Sequence, residues 1–131
     1  MDFKEIYKHD IFANEAGVVL EELSDSSAKM SLKVERRHLN GGSTVHGGAL
    51  FLLADITMAA MANHKRFMSV SIQSDIRFLA AAREGETLMA EAVEVFGRKK
   101  LSNLRVEIKN QNGELIAIAE GMFHTKEMRK E

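Results

Sequence analysis

Hydrophobic and polar residues alternate along much of this chain with the spacing of half-buried β-strands. Residues 27–35 are the clearest case, because every second side chain is apolar and those between are polar or charged. A period of two puts one set of side chains on a buried sheet face, so these residues are predicted to form a strand. Similar patterns predict strands over residues 18–23, 68–79, 87–96, 100–110 and 114–124, the last two joined by a tight hairpin at Asn112-Gly113.

One long apolar segment interrupts the strands. Between residue 46 and about residue 62, Leu, Ala and Met dominate and β-branched residues are few, which favours a helix. Residues 3–16 are predicted to form short helical turns that end at Gly17, and the polar residues 36–45 to form a loop. Two strands, a long helix and four strands predict an α+β fold, with a curved antiparallel sheet wrapped around the helix. Because this helix has little polar surface, a second copy is expected to cover what stays exposed, as a dimer.

The composition narrows the class of protein. With 131 residues, 45% of them hydrophobic and 28% charged, the chain is expected to form one globular domain over residues 1–131. A formal net charge of -1 provides no field that would attract nucleic acid or an anionic membrane, so neither is an expected partner. The absence of cysteine excludes disulfides, thiolate metal sites and a cysteine nucleophile.

Neither a signal peptide nor a membrane span is expected from this sequence. The N-terminal residues are charged and lack the apolar core of a signal peptide, and no apolar run reaches the ~20 residues that a membrane span needs. We therefore expect a cytoplasmic protein. The charged residues 125–131 predict a frayed tail.

A single carboxylate, that of Asp55, lies within the apolar helix. The residues one turn away are all apolar, namely Phe51, Leu52, Met58 and Ala59. An ionised carboxylate buried without partners is costly, so Asp55 is expected to reach donors from elsewhere, to border a water-filled cleft or to have a raised pKa. Each of these states is typical of a catalytic carboxylate. The alternative is that Asp55 pairs with an arginine such as Arg77, or simply points into solvent.

The start of the same helix is a candidate oxyanion site. Gly47 and Gly48 fall where the first N–H groups of a helix have no partner within it, and without side chains they let a substrate approach. Such N–H groups, at the positive end of the helix dipole, can receive a carbonyl oxygen that gains negative charge. Asp55 lies roughly 12 Å along the axis from Gly47, too far for both to hold one reacting atom within one chain. Two chains that meet at a dimer interface can supply one group each.

These residues form part of a longer pattern. The run HLNGGSTVHGGALFLLAD, from His38 to Asp55, strongly resembles the hotdog-fold acyl-CoA thioesterases of the PaaI (phenylacetic acid degradation) type, in which a loop Asn precedes His-Gly-Gly and a helical Leu-Ala-Asp. The later strands fit the same pattern, so the resemblance covers essentially the whole chain. It implies the hotdog architecture, a sheet wrapped around one helix, and assembly as a homodimer or homotetramer.

The resemblance also implies roles for individual residues. Asp55 corresponds to the carboxylate that activates water or, in another version of the mechanism, attacks the thioester carbon itself. Asn40 corresponds to the loop residue that holds the thioester carbonyl, and Gly47 to the residue whose N–H polarises that oxygen. His46 is expected to shape the helix start, and Ser71 to orient the carboxylate or its water. In the family the Asp and the Asn–Gly pair come from neighbouring subunits.

The implied substrate is an acyl-CoA, such as an aryl- or medium-chain one, and the implied reaction needs neither a metal nor a cofactor. A basic cluster of Arg98, Lys99 and Lys100 beside Gly97 is a candidate for contacts with the phosphates of CoA. The alternative for this cluster is a solvated hairpin turn. Where many members of the family carry a proline after Leu79, this chain has only alanines up to residue 82, so the rim of the pocket is expected to differ.

Two other functions compete with hydrolysis. A hotdog dehydratase or hydratase uses a different motif, with a His beside a carboxylate. A non-enzymatic acyl-CoA-binding hotdog protein is the alternative from another class, because binding can persist without catalysis. Asn40, Gly47, Asp55 and Ser71 together argue against it, since a binding protein does not need a carboxylate in an apolar helix.

Overall fold

The computed structural model describes residues 2–126, so the expected tail lies almost entirely outside the described residues. The helices are α1 (Phe3–Lys8), α2 (Ile11–Ala16) and α3 (Gly47–Lys65), with a short 3-10 turn at Arg36–His38. The strands are β1 (Val19–Leu23), β2 (Ala28–Lys33), β3 (Ser69–Phe78), β4 (Thr87–Gly97), β5 (Leu101–Lys109) and β6 (Leu115–Thr125). The predicted order of two strands, a long helix and four strands is therefore confirmed.

All six strands form one antiparallel sheet, in the order β1-β2-β4-β5-β6-β3. Helix α3 packs against every strand of this sheet. Adjacent strands lie ~4.8 Å apart and a helix with its side chains is only ~10 Å wide, so the sheet must curl for all six strands to reach α3. The predicted α+β fold, a curved antiparallel sheet around one central helix, is confirmed.

The core fixes α3 firmly in this curl. Leu53 and Met58 of the helix are fully buried against the sheet, whose Leu32, Leu104 and Ile108 are no more than 1% exposed. Burying an aliphatic side chain of this size stabilises the fold by about 1.5–3 kcal/mol. The groups at the start and in the middle of α3 are thus held on a rigid element.

One stripe of α3 is not covered by the sheet. The side of the helix opposite the core carries the partly or fully exposed residues Gly48, Phe51, Leu52, Asp55 and Ala59. Their spacing of one, three or four residues places them along one face of the helix. Asp55 lies in the middle of this apolar stripe, which is available to a second molecule.

Strand β3 forms one edge of the sheet and offers a second surface of this kind. Its ten residues have a neighbouring strand on only one side. Val70, Ile72 and Phe78 of this strand are 41%, 59% and 54% exposed. A long edge strand with exposed apolar side chains is a surface on which another chain can pair.

Two boundaries differ from the sequence prediction. Helix α3 continues to Lys65, because the buried Asn63 side chain donates to the Ala59 and Ser69 carbonyls and accepts the Ser69 N–H. The hairpin between β5 and β6 has a wider loop, over residues 110–114, because Asn110 Oδ1 accepts the N–H groups of Asn112 and Glu114. Within residues 2–126, no helix combines the length and apolarity needed to cross a bilayer.

Candidate active site

His46 caps the start of α3 with its side chain. Its Nδ1 accepts the N–H of Gly48 at 2.9 Å, and its backbone is extended, as is usual for the residue before the first turn. An accepting Nδ1 carries no proton, so the hydrogen of the neutral ring is on Nε2. The Gly48 N–H predicted to help bind the substrate is therefore already used within the chain.

The N–H of Gly47 is the donor that remains. It has no acceptor among residues 2–126. The Gly48 N–H bonds to the His46 ring, and the N–H groups of Ala49 and Leu50 bond to the His46 carbonyl. A side-chain carbon at Gly47 would lie 3.2 Å from the ring of Phe78. The free donor thus lies at the positive end of α3, beside the aromatic ring of β3's last residue.

Asn40 presents a second donor from the loop before α3. Its Oδ1 accepts the N–H groups of Gly42 and Thr44 at 2.9 and 3.1 Å, and its Nδ2 donates to Thr44 Oγ1 at 3.0 Å. Because two backbone donors hold Oδ1, the amide has a fixed orientation. The second hydrogen on Nδ2 has no acceptor within the described part of the chain, so it is free to bond to a ligand.

Asn40 and Gly47 line the same cavity, which has a volume of about 430 Å³. Leu50, Phe78 and the loop residues Ala80 and Ala81 form its other walls. The alanines at which the sequence departs from the resemblance are therefore in the wall of this cavity. Two donors in the wall of one cavity suit a carbonyl oxygen, because hydrogen bonds stabilise the negative charge that the oxygen gains during nucleophilic attack.

Asp55 is half-buried on the uncovered stripe of α3 and has no partner. No described side chain or N–H group lies within hydrogen-bonding or ion-pairing distance of its carboxylate, and the alternative pairing with Arg77 is not formed. Burial raises the pKa of the Asp55 carboxyl above its ordinary value of 3.8. A carboxylate without a partner and with a raised pKa is a competent proton acceptor.

Asp10 lies close enough to Asp55 to influence it. After burial, the negative charge of Asp10 is the second cause of the raised pKa of Asp55. Asp10 is the N-cap of α2, where its Oδ1 accepts the N–H of Ala13 at 2.9 Å. The packing of α2 against α3 thus holds a second carboxylate near the candidate base.

Within one chain, the donors and the carboxylate do not meet. Gly47 and Asp55 are on the same helix, roughly 12 Å apart along its axis at 1.5 Å per residue. Asp55 does not line the cavity that Asn40 and Gly47 share. In a single chain, the two parts of the predicted site, the donors and the carboxylate, therefore lie apart.

Ser71 is the third residue of the edge strand β3, where its side chain is exposed. Its Oγ is 3.1 Å from Ser74 Oγ. Ser74 is paired with Gly121 of β6. A side-chain carbon at Gly121 would lie 2.8 Å from Ser74 Oγ and 3.1 Å from Met58 Sδ. Ser71 is thus on the sheet edge, and it forms no hydrogen bond with Asp55 of the same chain.

The basic cluster lies at the other end of α3. Gly97 ends β4, and a side-chain carbon there would collide with the Arg66–Glu94 ion pair, whose arginine directly follows α3. Arg98 lies over the ring of Phe96, with 5.1 Å between the guanidinium carbon and the ring centre. Gly97 and Lys99 are therefore almost the full length of α3, ~27 Å, from Gly47 of the same chain.

Sequence reasoning missed three residues of this site. Thr44 fixes the Asn40 amide, and an Asn followed by polar loop residues is a recognisable signal for such a turn. Phe78 and Asp10 reach the site only through the folding of β3 and α2, and nothing in their local sequence indicates it. No group of three or more His, Asp or Glu residues among those described is arranged to hold a metal ion.

Comparison with known proteins gives matches over most of the chain. A family model described as the thioesterase superfamily matches residues 42–117. The acyl-coenzyme A thioesterase PaaI of Escherichia coli is 30% identical over 119 residues, which are 91% of this chain and 85% of that protein. The acyl-coenzyme A thioesterase 13 of Mus musculus is 33% identical over 100 residues, covering 74% of this chain and 69% of that protein.

The fold is also that of a solved structure. The E. coli PaaI protein from the phenylacetic acid degradation operon superposes with a TM-score of 0.91 at 29% sequence identity. The superposition covers 95% of this chain and 91% of that one.

Proposed function

The chain belongs to the thioesterase superfamily, as a PaaI-like thioester hydrolase with the hotdog fold, and we propose that it cleaves an acyl-CoA into a carboxylic acid and free CoA. The proposal rests mainly on one observation. Two free donors, the Gly47 N–H and the Asn40 amide, line one cavity, and a carboxylate without a partner, Asp55, lies two helical turns further along. The two free donors suit a carbonyl oxygen, and the carboxylate suits the water that attacks the carbonyl carbon.

The proposed reaction is a direct hydrolysis. The thioester carbonyl accepts hydrogen bonds from Gly47 and Asn40, which draw electrons from its carbon. Asp55 removes a proton from a water molecule as the water oxygen bonds to that carbon. The negative charge that forms on the carbonyl oxygen is stabilised by the same two donors. The C–S bond then breaks, the thiolate of CoA leaves with the electron pair, and the proton held by Asp55 neutralises it.

We propose that the site is completed by a second copy of the chain. The exposed edge of β3 and the uncovered stripe of α3 are both apolar, and the two elements approach each other where the ring of Phe78 lies beside Gly47. If two β3 edges pair antiparallel about a two-fold axis, the two α3 helices also run antiparallel. In the proposed dimer the axis passes between the two copies of Phe51, midway between Gly47 and Asp55, so that Asp55 of each helix faces Gly47 of the other. This arrangement accounts for the ~12 Å that separates the two groups in one chain.

The remaining site residues have supporting roles in this proposal. His46 leaves the Gly47 N–H as the free donor by capping Gly48. Ser71, on the edge strand, is positioned to reach the carboxylate or its water from across the paired edges. The basic cluster at Gly97, Arg98 and Lys99 lies at the far end of α3 from Gly47. It is therefore a candidate for phosphate contacts only where it belongs to another copy of the chain.

A non-enzymatic acyl-CoA-binding protein is the alternative function. It would use the same cavity and donors, but it gives no reason for a half-buried carboxylate whose ionised form is disfavoured by burial. Such a group lowers the stability of the fold, so we expect it to have a function. In hydrolysis, Asp55 has the function of general base.

The test is free-thiol release from short-, medium-, long-chain and aromatic acyl-CoAs, measured side by side on the wild type and on Asp55→Asn. We expect at least one substrate to be hydrolysed, and Asp55→Asn to lower kcat by about 100-fold or more while the substrate still binds. Binding of acyl-CoA without thiol release by the wild type would instead support the alternative. Equal turnover by both proteins would contradict the role of Asp55.

A further inference from the structure

Two arginines near the start of α3 have no partner. Arg36 begins the 3-10 turn after β2, and Arg83 lies in the loop between β3 and β4. Both side chains are exposed, and neither guanidinium has an ion pair or hydrogen bond within residues 2–126. Arg37, Arg66 and Arg105, by contrast, are paired with glutamates.

The two arginines line one cavity, which has a volume of about 550 Å³. Asn40 and Ser43 of the loop before α3 are also in its wall, as is the acidic residue Glu84. Two positive charges against one negative charge leave a net positive rim. A neighbouring cavity shares Arg36 and Glu84 with this one. Its wall also contains Lys33, Arg37 and Glu35, so its charged residues are likewise more basic than acidic.

This cavity and the cavity of the site share Asn40 in their walls. Asn40 lines both the cavity with the arginines and the cavity that contains the Gly47 N–H. A substrate whose carbonyl oxygen is bound by Gly47 and Asn40 therefore lies next to the cavity that Arg36 and Arg83 line. Whatever part of it reaches Arg36 and Arg83 meets two planar donors suited to phosphate oxygens.

We propose that Arg36 and Arg83 form a phosphate-binding rim that receives the nucleotide end of the acyl-CoA substrate. The inference rests on the proposed function, because CoA carries its phosphates at the end of the molecule away from the thioester. The rim belongs to the same chain as the carbonyl site. It differs in this respect from the cluster at Arg98 and Lys99, which lies at the opposite end of α3.

The experiment compares two substrates with the same acyl group, one on CoA and one on pantetheine, which has no phosphate. For Arg36→Gln/Arg83→Gln we expect the KM for the acyl-CoA to rise about tenfold or more, as for the loss of a charge-assisted hydrogen bond. The kinetics with acyl-pantetheine should not change, which a general structural defect would not allow. Lys4→Gln/Lys8→Gln removes the same charge from α1 and should leave both substrates unaffected.

Three results would overturn the proposal. These are an unchanged KM for the acyl-CoA, an equal rise for both substrates, and the selective loss appearing with Arg98→Gln/Lys99→Gln instead. Direct titration of CoA into each protein separates this proposal from that of hydrolysis. If the wild type hydrolyses neither substrate, the proposed activity is wrong. In that case a tenfold weaker affinity of Arg36→Gln/Arg83→Gln for CoA still supports the phosphate-binding rim. An affinity equal to that of the wild type contradicts it.

Discussion

The imidazole of His46 accepts the N–H of Gly48 at 2.9 Å, and this bond determines which N–H of α3 is left for a substrate. Without it, the first turn would offer two neighbouring donors with little to distinguish them. With it, Gly47 provides the free donor, next to the oriented amide of Asn40. The chemistry proposed for this protein depends on that one N–H group.

Gly47→Pro removes this N–H, and Gly47→Ala is its matched control. Proline suits the first helical position, and the extended backbone of His46, with φ -65° and ψ 137°, is compatible with a following proline. Both variants add a side-chain carbon that lies 3.2 Å from the ring of Phe78, so this contact is the same in the two proteins. We expect kcat to fall by a further 10²–10³-fold in Gly47→Pro relative to Gly47→Ala, as for the loss of an oxyanion donor. Equal activity of the two variants would show that the Gly47 N–H does not act in catalysis.

Asp10→Asn tests the influence of the second carboxylate on the base. Removing the negative charge of Asp10 lowers the pKa of Asp55, so the acid limb of the kcat/KM profile should move to lower pH. Asparagine caps a helix about as well as aspartate, so α2 should stay intact. Asp25→Asn removes the same charge near His64 at the far end of α3 and should leave the limb in place. A limb that moves equally in both variants would indicate only an effect of net charge.

The raised pKa of Asp55 also predicts how stability depends on pH. Because the pKa in the folded protein is above the ordinary value of 3.8, ionisation of Asp55 destabilises the fold as the pH rises through the folded-state pKa. Asp55→Asn should therefore have a higher Tm than the wild type at neutral pH. The difference should shrink on acidification and vanish below the unfolded pKa, where both states are protonated. A lower Tm at neutral pH would mean that the carboxylate makes a stabilising contact, for example with a second chain.

The edge of β3 is the predicted dimer interface, and Ile72→Lys places a charge on it. Ile72 is 59% exposed in the single chain, so the change should not disturb the folded monomer. We expect sedimentation analysis to show dissociation, with loss of thiol release because Asp55 and Gly47 no longer meet. Val19→Lys, at a 50% exposed position on the opposite edge strand, is the matched control and should stay associated. Full activity of a monomeric Ile72→Lys would contradict a shared site.

The periodicity of the chain was sufficient to predict the fold, because alternation in β5 and the apolar helix report directly on burial. The motif around His46 likewise indicated which residues to expect in the site. Sequence could not show that His46 consumes the Gly48 N–H, since this depends on the rotamer of one ring. Nor could it show that Asp10 approaches Asp55, because that contact exists only after α2 packs on α3. The large distance between Gly97 and Gly47 follows from the direction in which β4 runs along α3, and local sequence patterns do not reveal that direction.

The most direct test of a site shared between two chains is the activity of a heterodimer of Asp55→Asn and Asn40→Ala, coexpressed with different tags and purified through both. Each variant alone should lose about 100-fold or more in kcat. In the heterodimer, one site carries both substitutions and the other carries neither, so about half of the wild-type activity should return. A heterodimer as inactive as its parents would contradict the account, because it would mean that Asp55 and Asn40 act together within one chain.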